Sequence, residues 1–68
     1  MRLLLNLRVE RLERCLTQEE IADEIGVTQS TWSRAERGLN IEPASARKIA
    51  EYFERKPKEV WDFGKAAA

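Results

Sequence analysis

Five polar residues near the middle of the chain have types and spacing suited to a hydrogen-bonding face. If a helix starts at Gln29, then Gln29, Ser30, Ser33, Arg34 and Arg37 fall within one arc of ~140° at ~100° per residue. Thr28, Thr31, Trp32, Ala35 and Glu36 fall on the other side. The arc holds no hydrophobic residue and no acid. A glutamine amide can pair with the adenine edge, an arginine fork with guanine, and a serine hydroxyl with either. Such a face would suit recognition of base edges in the major groove of duplex DNA rather than bond making. Taken in isolation, the same arc also describes a plain solvated surface, although such surfaces generally mix acids with bases.

Composition narrows the other chemistry, leaving a carboxylate site open but with nothing that points to one. The 68-residue chain has no histidine and a single cysteine, Cys15. A Cys/His zinc site, a histidine-based triad and an intrachain disulfide are therefore all ruled out. Nothing pairs a nucleophile with a base, so no catalytic residue, metal, cofactor or small-molecule substrate is expected.

The elements that must position the arc are legible around it. Thr17-Gln18-Glu19-Glu20 is a capping box that opens a helix carrying Ile21, Ala22 and Ile25 inward, and Gly26 stops it. Thr28 caps the next helix, which runs to about Arg37 and is stopped by Gly38. Upstream, Leu5, Val9, Leu12 and Leu16 recur at spacings of four, three and four. They predict an amphipathic first helix with these leucines and the valine inward, Arg8, Arg11 and Arg14 elsewhere, and Met1–Leu5 as its first turn. Pro43 opens a fourth helix with Ala46, Ile49, Ala50 and Phe53 on its apolar face, and Pro57 opens a short fifth carrying Val60 and Trp61. No segment alternates long enough to predict a strand. The expectation is one all-α domain over residues 1–63 and a flexible tail over 64–68.

The stretch from Leu16 to Gly38, L-T-Q-E-E-I-A-D-E-I-G-V-T-Q-S-T-W-S-R-A-E-R-G, resembles the lambda-repressor-like (XRE or Cro-type) helix-turn-helix family. The resemblance rests on L-T-Q-E-E-hydrophobic-A, on G-V-[ST]-Q-S and on R-x-E-x-G. It implies a five-helix domain that binds double-stranded DNA as a transcriptional regulator, a repressor or autoregulator. It places Gln29, Ser30, Ser33 and Arg34 at base edges and Gln18 at a backbone phosphate, and Arg37 and Asn40 are expected to contact phosphates as well. It also implies a structural ion pair between Arg11 of the first helix and Glu36, a residue the wheel leaves half-inward and in need of a partner. Gln18 has a plainer reading as a helix N-terminal residue, and Arg34 reads equally as a phosphate contact. Trp32 and Trp61 read as core, since duplex bases offer no exposed faces for stacking.

The chain departs from the family pattern at particular points. Cys15 and Glu54 stand where glycine or asparagine commonly ends a helix, and Arg55 stands at a usually apolar position. Trp32 replaces a smaller aliphatic residue while Ala35 replaces a larger one, an exchange of volume within one core layer.

Twelve basic and twelve acidic residues give zero net charge, which argues against DNA unless the charges are segregated. It leaves a protein-interaction module as the rival reading. Because one such domain reads few bases, two half-sites and a homodimer are expected, with Val60, Trp61 and Phe63 as the interface. The apolar run after Met1 breaks at Asn6, too short for a signal peptide or a membrane span. A cytoplasmic location follows by default.

Overall fold

The computed structural model describes residues 2–62. Phe63 and the expected tail lie outside the described residues. Five helices follow one another: α1 Leu7–Glu13, α2 Gln18–Ile25, α3 Gln29–Glu36, α4 Pro43–Tyr52 and α5 Pro57–Val60. Two short strands, β1 Arg2–Leu3 and β2 Trp61–Asp62, frame them.

Caps set the boundaries. Asn6 accepts from the Val9 amide at 3.2 Å and starts α1. The Thr17 hydroxyl accepts from the Glu20 amide at 3.1 Å, and the Glu20 carboxylate accepts from the Thr17 amide at 2.9 Å, closing the capping box of α2. Thr28 accepts from the Thr31 amide at 3.1 Å and starts α3. Gly26 (φ 91°) and Gly38 (φ 74°) take the left-handed turns that end α2 and α3. Cys15 and Glu54 both have φ 56°, so two side-chain-bearing residues occupy helix ends that glycine would fill without strain.

The core is formed by Leu7, Ile21, Ala22, Trp32, Ala35, Ala46, Ile49, Ala50, Phe53, Val60 and Trp61. Trp32 and Ala35 are both fully buried, so the large and the small member of the exchanged pair share one layer. The apolar face of α4 is buried as expected.

The N-terminal expectation is corrected in two ways. The buried residue of α1 is Leu7, while Val9 and Leu12 are 45% and 51% exposed. The inward face of α1 carries Leu7 and, one turn on, Arg11, whose charge finds a partner on α3. Within the expected first turn, residues 2–5 do not begin the helix either. Arg2 pairs with Asp62 and Leu3 with Trp61 in an antiparallel ladder, and the Leu4 amide donates to the Val60 carbonyl at 2.7 Å. The pairing fastens the two ends of the domain together.

The expected dimer interface is also corrected at two of its three residues. Val60 and Trp61 are fully buried inside their own chain and have no surface to offer a second copy.

Candidate nucleic-acid interface

Packing of α3 decides which of its sides is free. Trp32 and Ala35 point into the core. Gln29, Ser30, Ser33, Arg34 and Arg37 are thereby left outward, and with Gln18 of α2 they line one open groove of about 570 Å³. The lining contains two arginines and no acid. Gln29, Ser30, Arg34 and Arg37 are exposed, Ser33 and Gln18 partly so. The Arg37 Nε leans back on the Ser33 carbonyl at 3.4 Å. Arg34 makes no side-chain hydrogen bond or ion pair within the described residues, so its fork is free for a ligand.

Asn40 lies elsewhere. It lines a neighbouring hollow of about 280 Å³ with Thr31, Arg34, Ile41 and Glu42. Arg34 is shared by the two cavities and bridges them. The helical wheel put Thr31 on the inward side, yet it borders this second hollow. Glu42, the residue preceding α4, sets an acid there as well.

The groove is held in shape by Glu36 at the end of α3, whose side chain is 6% exposed. Arg11 Nε donates to Glu36 Oε2 at 2.5 Å and Arg11 Nη2 to Oε1 at 3.4 Å. The Trp32 indole N–H donates to Oε2, and Gln18 Nε2 donates to Oε1 at 3.3 Å. Burial acts to raise the Glu36 pKa, but donors from Arg11, Trp32 and Gln18, with the arginine charge, outweigh it and hold the carboxyl below its usual range. One carboxylate thus joins α1, α2 and α3. Arg11 also donates from Nη1 to the Leu16 carbonyl at 2.9 Å, which fixes the turn between α1 and α2.

Gln18 therefore has two tasks. One amide hydrogen is committed to Glu36, while the other and the side-chain carbonyl remain for a ligand beside Gln29. The Trp32 and Gln18 donors to Glu36 escaped the sequence reading. The first had a visible signal, since Trp32 and Glu36 are four apart on one helix. The second joins residues 18 apart and had none.

No group of side chains among the described residues could hold a metal ion, and no described helix is long and apolar enough to cross a membrane. A family model described as helix-turn-helix, of the XRE/lambda-repressor-like kind, matches residues 7–60. No curated protein and no solved structure gives a significant match.

Proposed function

The chain belongs to the XRE/lambda-repressor-like helix-turn-helix family, a family of DNA-binding transcription regulators and not of enzymes, and from that premise we propose that it reads a specific duplex sequence through α3 as a cytoplasmic repressor or autoregulator. The observation that carries the proposal is the groove in which Gln18, Gln29, Ser30, Ser33, Arg34 and Arg37 meet without an acid. Gln29, Ser30, Ser33 and Arg34 face base edges. Gln18, next to the favourable N-terminus of α2, takes a phosphate together with Arg37 and Asn40. Zero net charge is then compatible with DNA binding because the groove is locally basic. A useful operator needs two half-sites ~34–36 Å apart, and hence two copies of the chain.

Selection of bound duplexes from a random pool, followed by affinity measurements on the variants, tests this. Gln29→Ala and Arg34→Ala should each lose about 1–3 kcal/mol of discrimination at one base position. Gln18→Ala should weaken binding to all sequences alike. If the Gln29 and Arg34 variants lose affinity equally on selected and random DNA, the base-contact assignment is wrong. If no motif is enriched at any salt concentration, sequence-specific binding itself is wrong.

A further inference from the structure

The apolar stripe at the N-terminus remains without an occupant. Val9 and Leu12 lie one turn apart on α1, each about half exposed, with half-buried Leu5 and Leu16 beyond the two ends of the helix. We propose that this stripe docks a second copy of the chain, with the two α1 helices side by side and parallel, and with Arg8 of each facing Glu13 of the other.

Charge placement carries the choice. At ~100° per residue, Arg8 and Glu13 flank the Val9–Leu12 stripe at ~70° on opposite sides. They are five positions apart and too far round the helix to pair with each other. Neither makes a side-chain hydrogen bond or ion pair within the described residues, whereas neighbouring Arg11 and Arg14 are both engaged. Two parallel helices meeting along such a stripe bring the residue before the first apolar position opposite the partner residue five further on. That rule joins Arg8 to Glu13 twice across a two-fold axis. An antiparallel pair would set each flank against itself, arginine facing arginine and glutamate facing glutamate. A β-branched residue at the first position and leucine at the second also suit two strands.

The patch is small. One helix of seven residues falls short of the ~800 Å² per partner of a standard interface. Association of free chains should therefore be weak, with Kd on the order of 0.1–1 mM. Two chains on adjacent half-sites see each other at about millimolar effective concentration, so a contact of this strength has a use there. That use rests on the DNA-binding proposal, but the contact itself does not.

Sedimentation equilibrium of the free chain at concentrations up to about 1 mM, without DNA, tests the contact apart from DNA binding. The expected result is a monomer–dimer equilibrium that Leu12→Asp abolishes without altering the thermal melt. Arg8→Glu and Glu13→Arg should each weaken association roughly tenfold, since two attractive pairs become repulsive, and the double variant should restore it. A chain that stays monomeric throughout overturns the proposal. So does a dimer indifferent to Leu12→Asp, or one that Arg8→Glu alone does not weaken. None of these results bears on whether α3 binds DNA, which the selection experiment decides separately.

Discussion

Removing Glu36 should come close to unfolding the domain, and the size of the effect follows from its surroundings. The Arg11 and Glu36 side chains are 12% and 6% exposed. Breaking a buried ion pair at one end costs about 3–5 kcal/mol, because the remaining charge is stranded. The slight exposure of Arg11 favours the lower end. Glu36→Ala also strips the buried Trp32 indole of its acceptor, about 1–3 kcal/mol more. A sum of about 4 kcal/mol or more is comparable with the whole stability of a domain this small, roughly 3–10 kcal/mol at 0.05–0.15 per residue. Arg11→Met should be milder, about 2–3 kcal/mol, since Glu36 keeps its bonds from Trp32 and Gln18 although the Leu16 carbonyl loses a donor. In Arg11→Met with Glu36→Ala both charges leave together, so the cost falls well below the sum of the single changes. A double-mutant cycle by urea and thermal unfolding reads the coupling, expected at about 2 kcal/mol or more, and Glu36→Gln can replace Glu36→Ala if that variant does not fold. A coupling under about 0.5 kcal/mol, with both single variants as stable as the parent, would refute the reasoning.

The left-handed residues give an opposite effect. Cys15→Gly and Glu54→Gly should each stabilise the fold by about 1 kcal/mol, because both sit at φ 56°. In a domain this size the melting temperature should rise by about 4–8 °C per kcal/mol, and a fall would show that the side chains matter more than the strain. Trp61→Ala should cost about 3–5 kcal/mol of stability and leave self-association unchanged, since the ring is buried in its own chain. Acid should also destabilise the protein. Glu36 binds its proton less readily folded than unfolded, so its contribution is complete above the unfolded pKa and is lost as pH falls through the lower folded value. Melting temperature should therefore decline as pH drops below about 4.5, the ordinary glutamate value, and this decline should be shallower in Glu36→Gln. An equal slope in both proteins would assign the acid sensitivity to other carboxylates, Glu20 among them, whose pKa is lowered by the hydrogen bond from the Thr17 amide.

From Thr17 to Phe53 the fold was legible because its determinants are local. A capping box, two glycine stops and a proline at the first position of a helix act within four residues of the boundary they set. The N-terminus was misread because its determinants are not local. A leucine-rich stripe at helical spacing looks the same whether it faces the core or solvent, and the wheel alone left Arg11 off the inward face although the family resemblance paired it with Glu36. The β1–β2 ladder joins Leu3 to Trp61 across the whole domain through two residues on each side, too few to alternate. For the candidate site, the wheel identified the outward side of α3, while the convergence of Gln18 on that groove required the packing of α2 against α3.

Glu36 explains how a neutral chain of this length can carry a precise groove. Recognition by bidentate pairing needs α3 held at a definite angle to α2, because Gln18 and Gln29 come from different helices yet line one cavity. A purely apolar contact between α2 and α3 would fix the angle less sharply, since hydrophobic burial is non-directional. A carboxylate that receives donors from α1, α2 and its own helix has far less latitude, because each hydrogen bond weakens steeply as its angle departs from linear. The buried pair is thus poorly suited to raising net stability and well suited to fixing geometry. The same carboxylate orients the Gln18 amide, so one residue of the groove is set by the element that holds the others in place.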